Sequence, residues 1–361
     1  MNKKLLLAIS LVLAILMLVG CSSNLPKDSA TDGKVDEKPA TDNEKPSGEN
    51  TTPETEGLKT GLAVITSLGK SKDAGEADGL AQVDSTVVAV TVDGEGKIVE
   101  CIIDAAQTKM NFSKEGKLVT DLATEFKSKN ELGAEYGMAK ASKIGKEWSE
   151  QAAFLANYVV GKTVEEVKGI AVAEGKPTDA DLAASVTVSI TGYVDAIERA
   201  VTNAQDMGAK TGDKLGLGIA TNMSKSKDAA DGNEGQAQAY SYYTAVTTNA
   251  DGKITSCIID ASQGTVKFDA TGKITTDLAA EVKSKNELGA EYGMAKASKI
   301  GKEWNEQAAA FAKYVTGKSV DEVKGIAISE GKATDAELAA SVSVTIEDMI
   351  VIVEKAINSA K

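Results

Sequence analysis

The segment Lys127–Trp148 (KSKNELGAEYGMAKASKIGKEW) returns, residue for residue, as Lys283–Trp304, 156 positions on. The same displacement carries Cys101 onto Cys257, Asp104 onto Asp260 and Thr187 onto Ser343. The chain therefore contains one domain twice. Its 361 residues would suit two or three domains, and the repeat fixes the number at two. Cores tolerate apolar swaps of similar volume, so packing alone does not demand identity over such a length. The polar and glycine positions that survive unchanged in both copies (Lys127, Asn130, Gly133, Gly137, Gly145) point to a common ligand pocket.

Copy one is expected over residues 58–205 and copy two over 215–361, joined by a linker at 206–214 (DMGAKTGDK). Each is long enough to bury a core. The linker is short and contains glycine, so the copies should sit close together with some freedom. Gly61–Leu68 reads as a first strand and the Gly/Asp/Ser-rich stretch 69–84 as loop. Ser85–Val92 is rich in valine and threonine, a strand composition, and turns at 93–96 into a partner over Lys97–Asp104. A further turn near Ser113–Gly116 would return the chain over Lys117–Thr120.

Helical spacing then places Trp148, Ala152, Leu155 and Val159 on one face, with Trp304, Ala308, Phe311 and Val315 as their counterparts. Gly161 and Gly317 end these helices. Thr163 with Glu166, and Ser319 with Glu322, form capping boxes of a short helix. A last helix over Gly192–Ala204 turns Val194, Ile197 and Val201 inward, matched by Ile350, Val353 and Ile357. The fold class is α+β: in each copy a small antiparallel sheet with helices packed on it.

Composition narrows the chemistry. The formal charge of −13 repels nucleic acid. Histidine is absent, which removes the commonest metal ligand, the usual proximal haem ligand and any histidine-dependent triad. Three cysteines are too few for a four-thiolate iron–sulfur cluster, so redox chemistry would need an organic cofactor. Cys101 and Cys257 read as small buried apolar residues on equivalent strands.

Residues 1–20 carry Lys3 and Lys4, an apolar run from Leu5 to Val19, and end at Gly20 before Cys21, the pattern of an export signal. The ending LVGC resembles a bacterial lipobox. The resemblance implies that Cys21 is diacylated and holds the chain to membrane lipid, two acyl chains giving a stable anchor. Residues 21–57 are then a lipid-anchored linker. Its Asp, Glu, Lys, Thr, Ser and Pro content cannot bury enough surface to order it.

Before the last helix each copy has a hydroxyl-rich turn, Asp181-Leu-Ala-Ala-Ser-Val-Thr187 and Glu337-Leu-Ala-Ala-Ser-Val-Ser343. Ser and Thr at such a place cap free N–H groups, and a helix N-terminus favours phosphate. With the export signal and the strand meander, this turn resembles that of the FMN-binding domain family. Those domains carry FMN through a phosphoester to a threonine in a pattern like D-x-x-S-G-A-T. Asp181 and Thr187 match the acid and the acceptor, while Ala184, Ser185 and Val186 stand where the pattern has Ser, Gly and Ala.

The lipobox, acidic tether and tandem copies together resemble the extracellular electron-transfer flavoproteins of Gram-positive bacteria. That resemblance implies a non-enzymatic carrier on the outer face of the cell membrane, with FMN attached by a separate flavin transferase that uses FAD and a divalent metal. Up to two FMN would be held, at Thr187 and Ser343, with Asp181 and Glu337 beside them. Electrons would come from the membrane NADH:quinone/quinol system and pass to extracellular acceptors such as ferric iron or free flavins. Tyr136, Met138 and Trp148 would face the ring in copy one, and Tyr292, Met294 and Trp304 in copy two. Gly133 and Gly137 would let backbone approach it, and Lys127, Lys129 and Lys143 would offset phosphate charge. The alternative reading is a non-redox surface lipoprotein that binds a solute or a protein partner.

Overall fold

The computed structural model describes residues 57–230 and 232–360. Cys21, the export signal and all but the last residue of the tether lie outside the described residues. Among the described residues no helix is long and apolar enough to cross a membrane.

Three long strands open the first copy: β1 (Gly57–Ser67), β2 (Gly79–Val92) and β3 (Ile98–Phe112). They form an antiparallel meander, with Val64 opposite Val87 and Ala89 opposite Ile102. The strands outrun the expected limits because β2 starts within the predicted loop and β3 continues eight residues past Asp104. The returning stretch at Lys117–Thr120 contributes only a single bridge, Phe112 to Leu118, so the meander has three strands.

Helices follow: α1 (Lys129–Leu132), a 3-10 turn at Gly133–Tyr136, α2 (Trp148–Tyr158) and α3 (Val164–Lys168). A two-residue ladder, β4 (Val172–Ala173) with β5 (Lys176–Pro177), leads to α4 (Ala180–Ala183) and α5 (Thr191–Thr202). The Thr163–Glu166 capping box is present, as is that of Ser319–Glu322. The predicted apolar face of α2 is buried throughout: Trp148, Ala152, Leu155 and Val159.

The last helix is rotated from its expected setting. Ala196, Ile197 and Ala200 are buried, while Val194 and Val201 are only half-buried. The cause is a close approach: a Cβ on Gly61 would lie 2.0 Å from the Ala200 carbonyl oxygen, so small residues must meet there. Gly216 repeats the arrangement against Ala356 at 1.9 Å.

The expected linker carries a strand. β6 (Gln205–Lys210) pairs with the free edge of β1, setting Leu58 opposite Ala209. An unpaired sheet edge is costly to leave bare, and this segment covers it. The second copy then repeats the order: β7 (Lys214–Asn222), β8 (Gly235–Thr248), β9 (Ile254–Phe268), α6 (Lys285–Leu288), α7 (Trp304–Val315), α8 (Val320–Lys324), β10 (Ile328–Ser329), β11 (Lys332–Ala333), α9 (Ala336–Ser341) and α10 (Glu347–Ser359).

Sheets β3-β2-β1-β6 and β7-β8-β9 pack face to face. Leu62, Val64, Val87 and Ala89 meet Leu217, Ile219, Tyr243 and Ala245 in one cluster; Ala81, Val83 and Met110 meet Ala237, Ala239 and Val266 in another. Each sheet is thus buried on both sides, by its helices and by its twin, rather than joined loosely to it. The pairing is close to isologous, with several contacts occurring twice. Phe112 stacks on its own counterpart Phe268 at 4.2 Å. Ala74 N–H donates to Gly272 O and Ala229 N–H to Gly116 O, both at 2.8 Å. Arg199 pairs with Glu287 at 3.2 Å, and Lys355 with Glu131 at 2.7 Å.

Candidate functional site

Thr187 does not open the last helix. It lies in the segment between α4 and α5, four residues before Thr191, and α5 has no side-chain cap. The side chain of Gln151, on α2 and fully buried, holds it instead. Gln151 Oε1 accepts from the Thr187 N–H at 2.8 Å and from Oγ1 at 3.3 Å; Nε2 donates to Ser142 Oγ at 3.3 Å and Lys146 O at 3.2 Å. Lys146 Nζ in turn reaches Ser185 Oγ at 3.4 Å.

Copy two repeats this through Gln307, also fully buried. Its Oε1 accepts from the Ser343 N–H at 2.8 Å, Ser343 Oγ at 3.2 Å and Val344 N–H at 3.2 Å. Its Nε2 reaches Ser298 Oγ at 3.3 Å and Met294 Sδ at 3.7 Å. A buried amide must satisfy both ends, and this one does so by tying the hydroxyl segment to the duplicated stretch. The sequence signal was available, since QA follows the shared Trp at the same interval in both copies, but a lone glutamine on a helix carries no motif.

The aromatic candidates gather beside this bond. Trp148 is 2% exposed and donates Nε1–H to Tyr193 Oη at 2.9 Å. Lys129 Nζ lies 4.6 Å from the Tyr136 ring and 4.8 Å from that of Trp148. In copy two Lys285 Nζ sits over three rings: Tyr240 at 4.3 Å, Tyr292 at 4.4 Å and Trp304 at 4.7 Å. Lys285 is itself 2% exposed and hydrogen-bonded to Tyr240 Oη, and burial brings its amine down to about 7, against the pull of Asp260. Met138 and Met294 are half-buried against the two helix-side cores; their N–H groups donate to Glu147 at 2.8 Å and Glu303 at 2.7 Å. Gly133 and Gly137 adopt φ of 48° and 76°, so they serve the backbone turn; a Cβ at Gly133 would meet nothing within 4 Å.

Other candidates lie apart. Asp181 and Glu337 are exposed in the first turns of α4 and α9, whose caps are Asp179 and Asp335. Lys127 pairs with Glu135 at 3.0 Å on the surface, and Lys143 is exposed. Cys257 is buried and Cys101 half-buried; desolvation pushes both thiols up to about 12, which leaves them unreactive. Asp104 and Asp260 are the buried carboxylates. Desolvation pushes each up to about 6, opposed by the serine hydroxyl (Ser128, Ser284) and N–H bonds that clamp α1 on β3 and α6 on β9. Among the described residues no cluster of carboxylates and thiols suits a metal.

A cavity of about 910 Å³ lies elsewhere, between β3 and α2 of copy one and β7 and α10 of copy two. Cys101, Asp104, Asn130, Leu217 and Lys355 line it; Thr187, Tyr136, Met138 and Trp148 do not. Its counterpart between Leu62, Arg199, Asp260 and Glu287, with Gln205 of β6 at its wall, holds only about 240 Å³. Compared with models of known families, with characterised proteins and with solved structures, the chain matches none.

Proposed function

We propose that this protein is a lipid-anchored electron carrier on the outer face of the cell membrane, with FMN esterified to Thr187 and Ser343. One observation carries the reading: in both copies a half-exposed hydroxyl is pinned by a buried glutamine that also bonds a serine of the duplicated stretch. The donor set suits a phosphate ester. Each acceptor residue is half-exposed, and in copy one Lys146, from the duplicated stretch, reaches Ser185 of the same segment to offset charge. Bound FMN would supply the electron chemistry, as the fold supplies orientation and electrostatics. Gln151 and Gln307 fix the acceptor backbone, while the half-buried Tyr136 and Tyr292, backed by the buried Trp148 and Trp304, would offer each site an aromatic face. Cys21 would tether the chain to lipid, the membrane quinol system would be the donor, and ferric iron or free flavins the acceptors.

The test is intact mass and visible absorbance of protein made alongside a flavin transferase. Yellow protein heavier by FMN minus water is expected, with Thr187→Ala removing one flavin and Ser343→Ala the other. Full loading of the double variant would refute the acceptors, and colourless protein of unmodified mass would refute the carrier.

A second reading, a surface lipoprotein that binds a solute, is favoured by the 910 Å³ cavity, which none of the proposed flavin contacts lines. Retention of a small molecule by protein lacking both hydroxyls would support it.

A further inference from the structure

The duplicated stretch places the same lysine in two different enclosures. Lys129 has two rings beside it and is half-exposed. Lys285 has three, because Tyr240 and Tyr242 on β8 stand where β2 has Asp84 and Thr86. Tyr240 and Tyr242 stack at 4.5 Å and close the side that copy one leaves open, where Asp84 turns to Lys70 at 2.8 Å. The carboxylate that acts on Lys285, Asp260, is already engaged by the Ala261 and Asn286 N–H groups. A buried amine held by ring faces and one phenol occupies the volume in which those faces converge.

We propose that Lys285 fills the seat of the flavin ring in copy two and must withdraw before that copy is loaded, so that Thr187 is flavinylated ahead of Ser343. This rests on the flavin reading above. A site whose competent form is only a fraction of the population binds in proportion to that fraction. Lys285, enclosed by three rings, imposes that reduction on copy two; Lys129, half-exposed over two rings, imposes less of it on copy one.

The experiment follows reductive methylation of lysines in flavin-free and flavin-loaded full-length protein. Glu-C peptides Phe126–Glu131 and Val282–Glu287 separate the otherwise identical copies. In flavin-free protein Lys129 should react at least about tenfold faster than Lys285, given the burial of a cation–π cluster. After loading, Lys285 should approach the rate of Lys129. A time course with transferase should fill Thr187 first. Lys285→Ala, and separately Tyr240→Asp, should remove the lag at Ser343, while Ser343→Thr alone should not. Equal labelling in flavin-free protein, or an unchanged lag in both variants, overturns the plug. Protein that shows the labelling difference yet takes no flavin at either hydroxyl overturns the carrier reading and the loading order with it.

Discussion

Trp148 and Trp304 lie in identical stretches, yet they are held differently. Trp148 donates to Tyr193 on α5, which meets it edge-on at 6.0 Å. Trp304 faces Met349 at the corresponding place on α10, and its polar enclosure is replaced by Tyr242 at 6.4 Å and by Lys285. Copy one makes a hydrogen bond where copy two sets a tilted tyrosine ring. The lesson is that an unchanged segment takes its environment from strands and helices distant in sequence, here β2 against β8 and α5 against α10.

Substitutions can break this comparison. Trp304→Ala and Trp148→Ala should each cost about 3–5 kcal/mol in urea unfolding, the range for emptying a large aromatic site. A markedly smaller loss at Trp148 would mean that its half-open cage collapses readily. Gln151→Leu and Gln307→Leu should come next, at about 1–3 kcal/mol, because each strands an N–H of the hydroxyl segment. The loss at Gln307 should be the larger, since its amide also accepts from the Val344 N–H and reaches Met294 Sδ; equal losses would mean that these extra bonds add nothing.

Lys285→Met sharpens the comparison through pH. The depressed amine contributes stability that is fully present above its ordinary 10.5 and is lost as pH falls through about 7. The parent should therefore lose about 2–3 kcal/mol more than Lys285→Met when pH falls from 9.5 to 7. The facing groups are Tyr240, Tyr242 and Tyr292, all raised by burial and so protonated in this window, and Asp260, which titrates near 6. Superimposable melting profiles would place the amine in water. The smallest effect is Tyr193→Phe, about 1 kcal/mol from the lost acceptor of Trp148. It has no equivalent in copy two, where Met349 takes the position.

Much of each copy's local structure was legible. Capping boxes and the apolar face of α2 follow from spacing within a few residues, where local rules suffice. The sandwich was less visible, although β2 reads TVVAVTV, a run apolar on both faces: Val88 and Val90 meet the helices, Val87 and Ala89 the other sheet. Continuous rather than alternating apolarity signals burial on two sides. Gln151 and Gln307 were missed because their partners lie 36 residues away. The plug at Lys285 could not be found by comparing the copies' shared stretch, since what distinguishes it is Tyr240, 45 residues earlier.

Phe112 rests on Phe268, its own duplicate, across the sandwich where β3 and β9 end. A gene truncated between β6 and β7 would thus yield a half whose inner sheet face, with Val83, Met110 and Phe112, lies open to water. Such a half would carry an apolar sheet face with nothing to cover it, and each phenylalanine has the other as its stacking partner. The duplication has become irreversible: what began as a repeated unit is inherited as a single indivisible one.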